Sequence, residues 1–382
     1  KKKKNTAGIY FNITANQQEK AKQVSLEQAY EDALNNRTNS RLYTLPQDKL
    51  KIIEGWPFIY WISDGFREKF KCTPFDSVID IRQGIATGNN DQFLRYYWEV
   101  SNKDLTRFNS IEKRKWVFYQ KGGPYCKWYG NNWTVCNFDN EAYELLKKYG
   151  NHLPSEAYYF RQGITYTLSG SKGASFRYLE PNQIFDVAGS CLFTKSNSEI
   201  YTFLAIINSK LIFYVLDCLN PTVSTQVGDL KRIPFVKPRQ TLEDCISALA
   251  YENVSIKKLL NSYSIVEFNY SQNPLLAFQF ASVKDRVLGY FNYENTQFAK
   301  VLINEAIINE LIFEVYELSD ADREQVEAKM GKSIGSLPVF TEAKKAFLEQ
   351  LTNPLTEVKE HVQNIPITTF DEQKIREIKE GF

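Results

Sequence analysis

Residues 158–177 read YYFRQGITYTLSGSKGASFR, and this stretch carries the pattern that decides the fold. Two short β-prone runs, residues 158–160 and 164–168, are separated by glycine and are followed by a cluster of Gly and Ser. Short runs bounded in this way predict strands that are joined by tight turns. The same texture extends from Phe75 to about Lys237.

Helical signals interrupt and then follow this β-rich region. Asp139 is a suitable N-cap for a helix that Gly150 stops, and the apolar stretch from Ile200 to Leu216 predicts one buried helix. After Pro238 the apolar spacing becomes helical and acidic residues dominate. The sequence therefore predicts an α+β fold: a mainly antiparallel sheet with inserted helices, followed by a helical C-terminal region.

Charge is distributed unevenly along the chain. Residues 1–240 hold 33 Lys and Arg against 23 Asp and Glu, whereas residues 241–382 hold 14 against 22. The formal net charge of the whole chain is only +2. This asymmetry indicates a basic portion that meets a polyanion and an acidic portion that does not.

Several classes of site and location are disfavoured. The stretch 200–216 is too short and too often interrupted by polar residues for a membrane span, so we expect a soluble, cytoplasmic protein with no membrane partner. Six cysteines without a C-x-x-C pair, and only two histidines, argue against a zinc site and favour reduced thiols.

No catalytic residue can be named from the sequence. His152 follows a helix stop and His361 lies in a charged stretch, so packing and solvation explain both. The spacings of a phosphate loop and of a dinucleotide-binding loop are absent. A carbohydrate-active hydrolase with a carboxylate pair stays open as an alternative, although no such pair can be placed.

Four glycine-rich turns carry polar and basic side chains beside aromatic residues: residues 84–91, 121–131, 161–177 and 225–232. Glycine lets a backbone approach a ligand closely. Lys and Arg neutralise phosphates, and Asn, Gln and Arg can pair with base edges. These turns predict a nucleic-acid interface, with ordinary hairpin turns as the competing explanation.

These turns also carry a resemblance. The ordered motifs G-x-x-T-G-x-N, K-G-G with K-W-Y-G-N, Y-F-R-x-G-I-T with S-x-K-G-A-S-F-R, and Q-V-G-D-L with I-P resemble the specificity region of BREX-type PglX adenine DNA methyltransferases. More broadly, the region is similar to the TaqI-like C-terminal specificity domain of type II modification methylases. The resemblance spans about residues 58–238 and continues more weakly beyond them.

The resemblance implies that a separate domain binds S-adenosylmethionine and methylates adenine. Three Asn-Pro pairs, at Asn220, Asn273 and Asn353, lack the second proline and the aromatic residue of that domain's N-P-P-Y type motif. No cofactor is therefore expected in this chain, and the opening lysines without Met suggest an internal piece. We predict three regions: residues 1–75 as a connector from the absent catalytic domain, residues 76–240 as a DNA target-recognition domain, and residues 241–382 as the helical region.

Carried over by position, the motifs nominate the DNA contacts, whereas Gly84, Gly163 and Phe185 are expected to shape the fold. The predicted contacts are Thr87, Asn89, Asn90, Lys121, Lys127, Trp128, Arg161, Lys172, Arg177 and Lys231. Duplex DNA, the catalytic domain and other phage-defence proteins are the expected partners. A scaffold that binds only protein is the second alternative.

Overall fold

The computed structural model describes residues 6–13, 18–108, 112–170, 173–278, 280–331, 345, 348–349 and 356–364. Its helices are α1 Glu19–Leu34, α2 Asp64–Lys69, α3 Asn90–Phe93, α4 Asn140–Tyr149, α5 Ile200–Ile207, α6 Lys210–Leu219, α7 Val227–Lys231, α8 Gln240–Asn261, α9 Val283–Val315, α10 Asp320–Met330 and α11 Thr356–Asn364. Its strands are β1 Ala7–Phe11, β2 Leu42–Pro46, β3 Thr73–Pro74, β4 Ile79–Arg82, β5 Leu94–Tyr96, β6 Trp116–Gln120, β7 Thr134–Asn137, β8 Gly163–Tyr166, β9 Phe176–Leu179, β10 Gln183–Phe185, β11 Cys191–Thr194 and β12 Pro234–Phe235.

The chain divides into two compact units. The first comprises residues 1–74 with 232–235, and the second comprises residues 75–231 with 236–382. In the first unit, β1 and β2 pair antiparallel, and β12 returns to pair antiparallel with β3. The boundary near residue 240 stays a prediction. The helices α8 and α9, which follow residue 240 or include it, belong to the same compact unit as the sheets.

Two four-stranded sheets form the centre of the second unit. One has the order β10-β6-β7-β5 and the other β4-β11-β8-β9. All of their pairings are antiparallel except that between β6 and β10. The predicted α+β class with a mainly antiparallel sheet is confirmed.

A largely aromatic and aliphatic core supports both sheets. Tyr119, Ile184, Phe185 and Phe193 are buried with residues of α4 in one cluster. Glycine is required where these strands meet, because a Cβ built on Gly84 would lie 2.0 Å from the Phe185 carbonyl oxygen. Gly84 and Phe185 therefore shape the fold, as the sequence predicts.

The inserted helices follow local sequence signals. The Asp139 side chain accepts the Ala142 backbone N–H at 2.9 Å and caps α4, which ends at Gly150. The apolar stretch predicted as one helix is divided into α5 and α6, because the Ser209 side chain caps a new helix by accepting the Ile212 N–H. Within the described residues no single helix is long and apolar enough to cross a membrane; the bent pair of residues 197–207 and 210–219 meets that test only jointly.

The helical region packs onto this α+β unit. α8 and α9 are joined in the interior where the Asn304 side-chain amide donates to Asn253 Oδ1 at 2.9 Å. Lys210 at the start of α6 donates to the carbonyl of Gly331, just beyond α10, at 2.7 Å. The acidic helices are thus structural neighbours of the glycine-rich turns described next.

Candidate nucleic-acid interface

Arg177, on β9, is an interior residue. Its guanidinium donates to Gly122 O at 3.2 Å, to Cys126 O at 3.4 Å and to Thr167 Oγ1 at 3.1 Å, and the residue has no exposed surface. Burial lowers the pKa of Arg177. In this structure Arg177, which the motif nominates as a DNA contact, has no surface available to DNA, because its guanidinium is buried and holds two backbone carbonyls and Thr167 Oγ1.

The turn that Arg177 holds is the 121–133 loop, which connects β6 to β7. It reverses direction through backbone in the left-handed region at Gly122, Gly123, Trp128 and Asn131. The Asn131 side-chain amide bridges the turn by donating to Gly122 O and Pro124 O, each at 3.0 Å. The loop is therefore a folded element with its own internal hydrogen bonds.

Lys127 and Trp128 face the helical region. Trp128 is 1% exposed and its indole N–H donates to Glu305 Oε1 on α9 at 2.6 Å. Lys127 Nζ lies 3.1 Å from the same oxygen. Burial opposes the Lys127 charge, but the Glu305 carboxylate outweighs it and raises the pKa of Lys127. In this structure both residues contact α9, whereas the motif nominates them as DNA contacts.

The first and second glycine-rich turns meet at Asn90. Asn90 Oδ1 accepts from Thr87 Oγ1 at 2.8 Å and from Lys121 Nζ at 3.0 Å. Lys121 also lies 3.2 Å from Asp186 Oδ2 and keeps 37% of its side chain exposed. Thr87 is buried and positions Asn90, so it is not itself available to a ligand. The structure brings these motif residues together, with Asn90 and Lys121 at the surface.

Asn89 is also exposed, and its side chain caps α3 by accepting the Gln92 N–H at 3.2 Å. Lys231 is exposed at the end of α7. Lys172 lies outside the described residues. Of the ten predicted contacts, those with accessible side chains are therefore Asn89, Asn90, Lys121, Arg161 and Lys231.

Arg161 is one of several cations around residues 158–160. Its guanidinium lies 5.2 Å from the centroid of the Tyr158 ring, and Arg82 covers the same ring at 4.5 Å. Lys113 Nζ lies 3.9 Å from the centroid of the Phe160 ring. We call Arg82, Lys113 and Arg161 the basic cluster. Sequence reasoning missed Lys113 and Arg82, which lie outside the glycine-rich turns.

The members of the basic cluster differ in how their charge is balanced. Arg82 pairs with Asp80 at 2.6 Å and donates to the Tyr158 hydroxyl at 2.7 Å. For Arg161 and Lys113, no carboxylate lies within ion-pair distance in the part of the chain that the structure describes. The aromatic rings hold both cations at the surface without neutralising them.

Glu267 has an unusual environment for a carboxylate. Its two oxygens accept the backbone N–H groups of Asn131 and Asn132 at 3.1 and 3.2 Å, and only 5% of the residue is exposed. Desolvation by burial raises the pKa of Glu267, although these two hydrogen bonds and the Arg177 charge act in the opposite direction.

A pH prediction follows from this raised pKa. The folded state binds the Glu267 proton more tightly than the unfolded state, so this carboxyl favours folding increasingly as the pH falls towards the ordinary glutamate range. We expect the free energy of unfolding of the wild type, minus that of Glu267→Gln, to increase on acidification through the folded pKa. Denaturant titrations of both proteins across pH 4–7 measure this difference, and a difference that decreases on acidification would contradict the assignment.

Neither a cofactor cradle nor a metal centre is evident in the described residues. A Cβ on Gly84 or Gly88 would lie within 3 Å of a carbonyl oxygen, so the first glycine-rich turn packs closely against the protein's own backbone at these two positions. Asn220 is engaged with Ser224 O and Asp229. No group of His, Cys, Asp and Glu within the described ranges could hold a metal ion.

The chain is similar in sequence to two adenine-specific methyltransferases. No protein-family model matches the chain. Over 293 residues it is 31% identical to the adenine-specific methyltransferase BrxX of Escherichia coli O9:H4 (strain HS), which covers 76% of this chain and 23% of that protein. Over 328 residues it is 27% identical to the adenine-specific methyltransferase PglX of Lacticaseibacillus casei (strain Zhang), covering 82% of this chain and 27% of that protein. The chain is thus related to adenine-specific methyltransferases and spans about a quarter of their length.

Among solved structures, that of the Type IIL restriction-modification enzyme MmeI in complex with DNA is similar. The match covers 68% of this chain and 36% of that chain, with a TM-score of 0.39 and 10% identity. At this level of similarity it supports no argument about the site.

Proposed function

We propose that this chain contributes DNA target recognition to an adenine-specific DNA methyltransferase of a restriction-modification or phage-defence system. S-adenosylmethionine and the methyl transfer would belong to another part of the parent protein, and duplex DNA would be the ligand of this part. Sequence similarity to BrxX and PglX over most of the chain supports the proposal. The structural observation that carries it is the basic cluster, and within it Arg161 and Lys113.

Two cations of the basic cluster carry charge that no described carboxylate balances. Arg161 and Lys113 are exposed, are held against the Tyr158 and Phe160 rings, and have no carboxylate partner among the described residues. A cation that is held in place before binding has less conformational entropy to lose when it meets an anion. DNA phosphates would neutralise both charges and release counterions, which makes binding favourable at low salt.

For base reading we propose a second surface, formed by Asn89 and Asn90. Asn89 and Asn90 are exposed at the start of α3, and Asn side chains can bond the N6 and N7 groups of adenine in the major groove. Lys121 is partly exposed beside Asn90 and carries a charge that Asp186 partly balances. The basic cluster would position the duplex, and the Asn89–Asn90 surface would discriminate sequence.

Single substitutions test the role of the basic cluster. We expect Arg161→Ala and Lys113→Ala each to weaken binding to random-sequence duplex DNA, and each to reduce the slope of log K against log salt by about one. Lys284→Ala, which removes an exposed lysine on α9, is the matched control and should leave the slope unchanged. Equal slopes for the wild type and for both cluster variants would contradict the proposal.

The hydrolase alternative receives no support from the described carboxyl groups. Burial raises the pKa of Glu267, but both of its oxygens accept backbone N–H groups inside the protein. Such a carboxyl cannot reach a substrate to act as a general acid. A scaffold that binds only protein would instead show no DNA binding in the salt series.

A further inference from the structure

Two carboxylates from the helical region hold the 121–133 loop. Glu267, in the segment between α8 and α9, accepts the backbone N–H groups of Asn131 and Asn132 with its two oxygens. Glu305, on α9, accepts the Trp128 indole N–H and pairs with Lys127. Both contacts therefore fall on the half of the loop that precedes β7.

Arg177 acts on the same loop from the side of the sheet. Its guanidinium holds the carbonyls of Gly122 and Cys126, in the first half of the loop, whereas Glu267 holds N–H groups in the second half. The loop is thus bound by a buried cation through its carbonyls and by a buried anion through its N–H groups. Charge-assisted hydrogen bonds of this kind are about twice as strong as neutral ones.

The loop needs such external support because of its backbone. Trp128 and Asn131 adopt φ angles of 74° and 65°, a conformation that residues with side chains rarely occupy. Strained backbone persists only where the surroundings determine it. Without Glu267, the N–H groups of Asn131 and Asn132 would also be buried without these acceptors.

We propose that Glu267 and Glu305 are positioning residues by which the helical region sets the conformation of the 121–133 loop, and through it the position of Lys121 beside Asn90. The link to DNA rests on the proposed function, whereas the control of the loop does not. The acidic helices then act on the candidate interface without touching DNA, which agrees with their negative charge.

Amide hydrogen exchange of the full chain, followed by NMR or by mass spectrometry of short peptides, tests the proposal. Glu267→Gln keeps one acceptor oxygen and replaces the other with an N–H₂ donor, which cannot accept a backbone N–H. We therefore expect exchange in the Asn131–Asn132 pair to be at least about tenfold faster than in the wild type. In Glu305→Gln we expect faster exchange of the Trp128 indole N–H. Exchange at Leu146 in α4 should be unchanged in both variants.

Glu314→Gln is the matched control, because Glu314 lies on α9 like Glu305 but makes an exposed ion pair with Arg239. It should leave the loop unaffected. Unchanged exchange at Asn131 and Asn132 in Glu267→Gln would overturn the proposal, as would parallel acceleration at Leu146, which would show a role in global stability alone. If the loop responds as expected while the wild type retains no random-sequence duplex DNA, the proposed function fails and the control of the loop by the helices stands.

Discussion

Replacing Arg177 by Met is expected to lower the free energy of unfolding by about 3 kcal/mol, because the substitution leaves buried acceptors without their charged donor. The guanidinium is fully buried and serves Gly122 O, Cys126 O and Thr167 Oγ1. Met keeps most of the side-chain length and volume. The decrease in the free energy of unfolding therefore measures mainly the lost hydrogen bonds and not the creation of a cavity. Chemical denaturation followed by circular dichroism measures the change.

Arg161→Met is the matched control for this experiment. Arg161 is exposed and contacts the rings of Tyr158 and Phe193 without an ion pair in the described part of the chain, so we expect a loss of about 1 kcal/mol or less. For DNA binding we expect the larger effect from Arg161→Met, which should weaken binding to DNA phosphates while leaving the protein stable. A loss of stability at Arg161 that equals the loss at Arg177 would contradict the structure.

Trp128→Ala is expected to destabilise the protein by about 3–5 kcal/mol, the range for deleting a large buried aromatic side chain. Trp128 is among the largest fully buried side chains, and its removal also takes the indole donor away from Glu305. The same residue was nominated from its motif as a DNA contact, so this measurement separates an interior role from a surface role.

Trp98→Ala is the corresponding control, since Trp98 is 50% exposed and stacks on Tyr96 with ring centroids 4.7 Å apart. Loss of this exposed stack should cost about 1 kcal/mol. If Trp128→Ala proved as mild as Trp98→Ala, Trp128 would have to be exposed in solution, and the proposed contact of the 121–133 loop with α9 would be wrong.

Features with local causes could be predicted from the sequence. Asp139 as a cap and Gly150 as a stop define α4 because both act within one helical turn. Short apolar runs bounded by glycine are also local signals, and together with the helix signals they predict the α+β class. The division between α5 and α6 was missed although Ser209 carried a capping signal, because the surrounding apolar run predicts continuous burial equally well.

The interior roles of Lys127, Trp128 and Arg177 could not be predicted because their partners are distant in sequence. Trp128 and its partner Glu305 are separated by 177 positions, and Arg177 and Gly122 by 55. A basic or aromatic side chain in a glycine-rich turn has the same sequence pattern whether it faces DNA or the protein's own carbonyls. The missed residue Lys113 shows the converse, since only the fold places it over the Phe160 ring.

Selection from random duplexes tests most directly the proposed reading of DNA sequence by this chain. The chain would be mixed with a pool of random-sequence duplex DNA over a series of salt concentrations, and the retained molecules sequenced. We predict retention that falls steeply with salt, together with enrichment of a motif that contains adenine. Absence of retention even at low salt, or retention without any enriched sequence, would contradict target recognition by this chain.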